Sequence, residues 1–140
     1  MDKIELLIPV GNEENLKAAV ENGADAVYLG IDKFNARRRA DNFKLSELRK
    51  TVDYCHENGV KVYITLNILI KNSELEDFFK TIGKVYLAGA DAVIIQHLSF
   101  LPIIKKNFPE MEVHISTQAA ISNTYFYDLI KQADKIVLPR

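Results

Sequence analysis

The sequence predicts an α/β fold in which about six parallel strands alternate with helices. The phrase GADAV occurs at residues 23–27 and 89–93, and a looser copy, QADKIV, occupies residues 132–137. Apolar residues at helical spacing precede both full copies, and a short apolar run follows each one. Glycine commonly ends a helix because it takes the left-handed conformation without a Cβ clash. Each copy is therefore interpreted as a helix-to-strand joint, with the aspartate as a polar turn residue.

The remaining elements follow the same alternation. The third helix is predicted to begin at Ser73, which opens a capping-box pattern with Glu76. The last helix is predicted to begin near Ser122, and a long loop is predicted between residues 30 and 44. The predicted strands span residues 4–10, 26–30, 60–67, 92–96, 111–117 and 135–140. Strands that alternate with helices imply a parallel sheet with right-handed crossovers.

Two architectures satisfy this pattern, a TIM-like (β/α) barrel and an open doubly wound sheet. A complete barrel takes about 250 residues, so the 140 residues of this chain would form an incomplete barrel. We interpret residues 1–140 as a single domain. Exposed strand edges are usually covered, and an apolar edge near residues 136–138 makes a homodimer through such edges one expectation. The chain as part of a longer protein is another.

Composition excludes several classes of protein. The formal net charge is −1, which gives no overall attraction to nucleic acid or membrane. No apolar run approaches the roughly 18 residues of a membrane-spanning helix. The single cysteine, Cys55, cannot form an internal disulfide, and we expect a cytoplasmic protein.

Candidate binding residues fall at the carboxyl ends of the predicted strands, where ligands bind in both architectures. These positions are rich in amides and hydroxyls and poor in carboxylates. They are Tyr28, Asn67, Gln96, Gln118, Asn123 and Arg140, with His114 and Ser116 on the fifth strand.

A basic stretch in the long loop is the strongest candidate for binding. Arg37 and Arg38 could bind phosphate or carboxylate, and the nearby Phe34 and Phe43 could offer a stacking surface. An anion-accepting pocket would then be lined by Asn35, Arg37, Asn42, Asn67 and Gln118. The alternative is a solvated charged loop.

Catalytic candidates are weaker. His114 and Ser116 lie two residues apart on a strand and so point the same way, but His114 is also consistent with a structural histidine. The three histidines share no metal-binding spacing and no HExxH motif occurs. We therefore predict no metal site in this chain.

Several segments resemble the collagenase-like peptidases, family thirty-two of the peptidases of unknown catalytic type. In order they are GNEENLKAAVENGADAVYLG, KFNARRRADNF, VKVYITLNIL, EVHISTQAAISN and IVLPR. The resemblance covers essentially the whole chain and implies the N-terminal part of that family's barrel. It departs near Asp41, where the family usually has a glycine.

The resemblance implies a peptidase that hydrolyses peptide bonds by an unassigned mechanism. Other members of the family support hydroxylation of RNA bases or of a quinone ring, which gives a second expectation. A third is a noncatalytic barrel portion that binds an anion or a partner. The expected partners are accordingly a peptide, an RNA or a small anionic substrate.

The resemblance also bears on cofactors. Some of the hydroxylation proteins hold an iron–sulfur cluster through four cysteines, and the single thiol of Cys55 cannot do so. We expect Cys55 to be a core residue and no cofactor within this chain. Any cluster ligands of a full-length protein would lie beyond Arg140.

Overall fold

The computed structural model describes residues 4–36 and 41–139, apart from the side chain of Leu129. In this part of the chain, six strands form one parallel sheet in which each strand pairs with the next along the chain. They are β1 (Leu7–Val10), β2 (Ala26–Gly30), β3 (Lys61–Leu66), β4 (Ala92–Ile95), β5 (Glu112–Ile115) and β6 (Lys135–Ile136). A doubly wound sheet reverses its strand order at a switch point, and this order does not reverse. The predicted fold class, an incomplete TIM-like barrel, is confirmed.

Within the described residues, five α-helices connect the strands. They are α1 (Glu13–Glu21), α2 (Leu48–Glu57), α3 (Leu75–Leu87), α4 (Leu101–Asn107) and α5 (Tyr127–Ile130). Their apolar faces pack on alternate strand residues, as Leu16, Val52 and Phe78 do in one core with Val27 and Val93. None of the helices in the described part of the chain is long and apolar enough to cross a membrane.

The opposite face of the sheet is concave in the half-barrel and holds a second, smaller cluster. Ala26, Tyr63, Ala92 and Ile94 are buried there. Because side chains alternate between the two faces of a strand, this face continues at each carboxyl end into the residues of the candidate site.

Several element boundaries differ from the sequence prediction. The helix after β3 begins at Leu75, preceded by a 3₁₀ turn, and the Glu74 carboxylate accepts the backbone N–H of Lys71 at 2.8 Å. Glu74 therefore takes the capping role predicted for Glu76. The last helix begins at Tyr127 rather than near Ser122, because another 3₁₀ turn, Thr124–Phe126, directly precedes it. Strand β6 is two residues long.

The aspartates of the repeated phrase perform one structural task. Asp25, Asp91 and Asp134 each precede an even-numbered strand, and each carboxylate accepts a backbone N–H of the preceding odd-numbered strand region. The donors are Leu6 at 2.8 Å, Val62 at 2.7 Å and Val113 at 2.8 Å. We call these three residues the aspartate row. The row ties the strands together in pairs, which explains why the phrase recurs at every second joint.

The glycine of the phrase behaves as the sequence predicts. Gly23 and Gly89 both have φ of +85°, a conformation that costs other residues energy because of their Cβ. Each glycine thus ends its helix and directs the chain into the next strand. That residues 1–140 form a single domain stays a prediction, as does a homodimer through β1 or β6, the edge strands of the described sheet.

Candidate functional site

A cavity of about 430 Å³ opens at the carboxyl ends of the strands. Residues from or next to all six strands line it, so the whole described sheet contributes. Its polar lining consists of Tyr28, Asn35, Asp41, Asn42, Thr65, Asn67, Ser116, Thr117 and Gln118. Amides and hydroxyls dominate, and Asp41 is the one carboxylate among the described lining residues.

One wall of the cavity is built from the long loop after β2. The Asn35 amide donates to the Asn42 side-chain oxygen at 2.6 Å, and the Thr65 hydroxyl lies 3.1 Å from the Leu29 carbonyl and 3.3 Å from the Asn35 oxygen. Gly30 makes this packing possible. A Cβ on Gly30 would lie 1.8 Å from Asn35 Nδ2 and 2.7 Å from Asn42 Oδ1.

The other wall joins β3 to the segment after β5. Asn67 Nδ2 donates to Ser116 Oγ at 3.3 Å, and Asn67 Oδ1 accepts the backbone N–H of Ala36 at 3.3 Å. The Gln118 N–H also donates to Ser116 Oγ, at 3.2 Å, and Gln96 donates to the Gln118 carbonyl at 3.1 Å. Asn67 therefore links the two walls across the top of the sheet.

The loop that carries Asn35 and Asn42 is anchored on the outside of the cavity. Ile31 and Phe43 form a parallel β-bridge, and Lys33 pairs with Asp77 of α3 at 2.8 Å. Phe34 has a positive φ of 54° and packs edge-on against Phe78, with ring centroids 5.3 Å apart. A positive φ is uncommon for a bulky residue, so burial of this ring holds the turn in place.

The expectation of an aromatic stacking surface on this loop is wrong. Phe34 and Phe43 are both only 8% exposed and belong to the core. Phe34 packs against Phe78 of α3, and both rings belong to the helix-side core, so neither ring is available to a ligand. The other part of that expectation, Arg37 and Arg38, lies outside the described residues.

His114 and Ser116 share the concave face, but their hydrogen bonds lead away from each other. His114 Nε2 lies 2.8 Å from Glu112 Oε2, and its ring packs edge-on against Tyr63 at 4.6 Å. Burial lowers the pKa of His114. Ser116 accepts its bonds from Asn67 and Gln118. Each of the two side chains therefore has another partner. A catalytic pairing of His114 with Ser116 stays a prediction.

The cavity gathers most of the described members of the predicted binding set. Tyr28, Asn35, Asn42, Asn67 and Gln118 line it, and Gln96 adjoins it through its bond to Gln118. Asn123 lies elsewhere, where it caps a 3₁₀ turn by accepting the Tyr125 N–H at 3.0 Å. Arg140 lies outside the described residues.

The predicted binding set lacks Thr65, whose hydroxyl is buried in the cavity wall. A signal for Thr65 exists in the sequence, because it precedes Asn67 by two residues and so shares its strand face.

The described residues of this chain do not fit an iron–sulfur cluster. Cys55 is buried in the helix-side core, and its burial, together with the charge of Asp91, raises its pKa to about 11. Within residues 4–36 and 41–139, no three His, Cys, Asp or Glu side chains come together in a way that could hold a metal ion.

Comparison with known proteins places these features in a family context. Residues 11–140 match the sequence model of peptidase family U32. The chain is 38% identical to tRNA hydroxylation protein P1 of Bacillus subtilis strain 168, over 99% of the chain and 33% of that protein. It is 36% identical to a collagenase of Porphyromonas gingivalis, over 100% of the chain and 34% of that protein. The chain thus spans about a third of the length of these relatives.

The fold has a counterpart among solved structures. A U32 peptidase superposes with a TM-score of 0.72 at 15% identity, over 97% of this chain and 58% of the solved one. At that identity the likeness is one of fold, and it agrees with the half-barrel described above.

Proposed function

The chain belongs to peptidase family U32, and from that premise we propose that it forms part of a protein that supports hydroxylation of an RNA base. In this proposal the cavity at the carboxyl ends of the strands holds the base. The observation that carries the proposal is the chemistry of the cavity lining, considered beside the tRNA hydroxylation protein that this chain resembles over 99% of its length.

The lining suits a neutral, planar ligand with several hydrogen-bonding groups. Side-chain amides donate and accept at once, as the edge of a nucleobase does. Asn67 and Gln118 lie on one wall, Asn35 and Asn42 lie on the other, and the half-buried Tyr28 also lines the cavity. Aromatic rings and amide edges are the groups with which proteins recognise unpaired RNA bases.

The same lining is less suited to an anion taken alone. No lysine or arginine lies among the described residues of the cavity wall. Binding of the RNA phosphates is assigned in this proposal to Arg37 and Arg38, because guanidinium groups pair with phosphate oxygens. The alternative of a noncatalytic barrel portion that binds a small anion needs those arginines as the main contact.

Peptide hydrolysis is the second candidate, favoured by the resemblance to the P. gingivalis collagenase. A serine peptidase needs a nucleophile within hydrogen-bond reach of a base. The observed partners of His114 and Ser116 are Glu112 and Asn67, which is why hydrolysis ranks below RNA hydroxylation.

The role proposed for this chain is to bind and orient the base. The described residues do not fit a redox cluster, so the oxidising chemistry is not assigned to any of them. An iron–sulfur cluster held by cysteines outside this chain remains part of the proposal.

The decisive experiment compares RNA from cells with and without the gene. Transfer RNA and ribosomal RNA would be digested to nucleosides and measured by mass spectrometry. The expected result is a hydroxylated nucleoside, heavier by one oxygen atom, that disappears on deletion and returns on complementation. An unchanged nucleoside profile would overturn the proposal.

Complementation with point variants links that result to the cavity. Asn67→Ala should fail to restore the nucleoside, because it removes the link between the two walls. Asn58→Ala is the matched control, since Asn58 is an exposed asparagine at the opposite end of the sheet. Equal restoration by both variants would separate the activity from this cavity.

A further inference from the structure

Three side chains meet across the concave face, below the cavity. Lys135 Nζ lies 2.7 Å from Glu5 Oε1 and 3.1 Å from the Tyr63 hydroxyl, and that hydroxyl donates to Glu5 Oε2 at 2.8 Å. We call these three residues the clasp. Glu5 and Lys135 are 130 positions apart in the chain, so the clasp is a long-range contact.

The clasp joins the two edges of the sheet. Glu5 precedes β1 and Lys135 begins β6, and these two strands form no backbone ladder with each other. Tyr63 lies on β3, between the two edges, and is fully buried. Its ring also receives the Lys135 ammonium at 4.9 Å from the centroid, which is within the range of a cation–π contact.

The surroundings make this a stronger contact than a surface ion pair. The Glu5 and Lys135 side chains are 30% and 41% exposed, and partial burial reduces the screening of their charges by water and salt. Other charged and titratable groups face the same region. They are Glu112 and His114 on β5 and Lys61 on β3, with Lys61 Nζ 3.9 Å from Glu112 Oε1.

The clasp is in register with the walls of the cavity. Leu7 follows Glu5 by two residues, and Val137 follows Lys135 by two residues. Both line the cavity, and in an extended chain residues two apart lie on one face. The clasp fixes the separation of the two edges. It therefore also fixes the separation of Leu7 and Val137, which line opposite sides of the cavity.

We propose that Glu5, Tyr63 and Lys135 are positioning residues that hold the edges of the half-barrel together and so set the width of the ligand cavity. The effect on the sheet edges stands independently of what the cavity binds. Only the affinity readout described below rests on the proposed function.

The first test measures the separation of the two edges directly. Spin labels on Lys17→Cys of α1 and Asp128→Cys of α5 would flank the edge strands, and both positions are exposed. Cys55 is buried with a raised pKa, so it should stay unlabelled in the folded chain. Pulsed electron paramagnetic resonance would then give the distribution of distances between the labels.

The variants separate the clasp from general destabilisation. Lys135→Met should shift the distances to longer values or broaden them, and the charge swap Glu5→Lys with Lys135→Glu should restore the original distribution. Glu5→Gln, which keeps the side-chain shape, is a milder variant if Lys135→Met does not fold. Lys80→Met removes an exposed ion pair with Glu76 and should leave the distances unchanged. Unchanged distances in folded Lys135→Met or Glu5→Gln would overturn the proposal.

The second test uses a short single-stranded RNA labelled with a fluorophore. If the cavity binds RNA, Lys135→Met should weaken the affinity about tenfold, and the charge swap should recover it. Absence of binding by the unaltered chain would count against the proposed function, while the distance measurement would still decide the clasp. An altered distance distribution with unaltered affinity would overturn the link between the clasp and the cavity.

Discussion

The two ends of the sheet use polar side chains in opposite ways. At the amino ends of the strands, the three carboxylates of the aspartate row each accept a backbone N–H from the neighbouring strand region. At the carboxyl ends, neutral amides and hydroxyls bond to one another and to nearby backbone groups around a cavity. A barrel of this kind carries stability at the first end and ligand binding at the second.

The difference lies in what each set of groups can still do. A carboxylate that accepts a buried backbone N–H is committed to the fold, because breaking the bond leaves a donor unpaired. Amides and hydroxyls are uncharged and can both donate and accept, which suits them to a ligand that carries both kinds of group. Substitutions at Asp91, Gly30, Ser116 and Asp134 test this contrast, with an expected effect that decreases in that order.

Removal of an aspartate from the row should destabilise the fold and leave the cavity intact. Asp91 accepts both the Val62 N–H and His56 Nε2, at 2.7 and 2.8 Å. We expect Asp91→Ala to lower the free energy of unfolding by roughly 2–3 kcal/mol, because bonds to an ionised acceptor are the stronger ones. Urea denaturation measures this. Asp53→Ala, which removes an exposed helical pair with Arg49, is the control and should change stability by less than about 0.5 kcal/mol.

A methyl group at Gly30 should disrupt the packing of the cavity wall. Because its Cβ would overlap the Asn35 amide, Gly30→Ala should cost about 1–2 kcal/mol in stability through overpacking. It should also weaken RNA binding. At Gly11, in the same cavity, the nearest atom to a new Cβ is 3.7 Å away. Gly11→Ala should therefore be neutral in the same urea titration, and equal losses at the two glycines would refute the packing argument.

Ser116→Ala distinguishes a positioning serine from a nucleophile. Its hydroxyl accepts bonds from Asn67 and the Gln118 N–H, and their loss should weaken RNA binding by about 1 kcal/mol, measured by fluorescence anisotropy. Ser46→Ala, at an exposed site, is the matched control. A peptidase activity of the full-length protein that vanishes in Ser116→Ala would instead favour the hydrolytic candidate.

The smallest expected effect is the contribution of the Asp134 charge to stability, which depends on pH. Burial opposes its ionisation, but the Val113 N–H and the Lys105 ammonium outweigh burial, so the pKa of Asp134 is lowered. A lowered pKa in the folded state stabilises the fold above the ordinary aspartate pKa of about 4, and this contribution is lost as the pH falls through the lowered value.

Asp134→Asn should accordingly be less stable than the unaltered chain at neutral pH, by less than about 1 kcal/mol because the site is partly exposed. The difference should shrink on acidification, measured by urea denaturation at several pH values. A difference that stays constant with pH would show that Asp134 acts through packing and not through its charge.

The sequence predicts the sheet better than the site. The GADAV phrase and helical spacing identify all six strands in order, because both signals are local. The hydrogen bond made by the aspartate of the phrase is not local. Asp91 bonds to Val62, 29 positions earlier, so it could be interpreted only as a turn residue.

Three-dimensional context also decides the aromatic residues of the long loop. Phe34 and Phe43 suggest a stacking surface beside the arginines. Both rings lie in the core instead, Phe43 next to the β-bridge with Ile31 and Phe34 against Phe78. The cavity residues Asn35, Asn42 and Gln118 could be named from their positions after strands. The bond between Asn35 and Asn42 depends on Gly30, whose lack of a side chain has no signature until the loop is folded over it.

The sequential strand order has a consequence for biosynthesis. Each strand pairs with the one made just before it, so the sheet can grow in the order in which the ribosome releases the chain. The bond between Glu5 and Lys135 is the exception, because it requires the first and the sixth strands together. Nascent chains halted after β4 should already protect the amides of β1–β3 from hydrogen exchange, whereas this bond forms only after the sixth strand emerges. Late release of β6 thus leaves Glu5 without its lysine contact while the first five strands assemble.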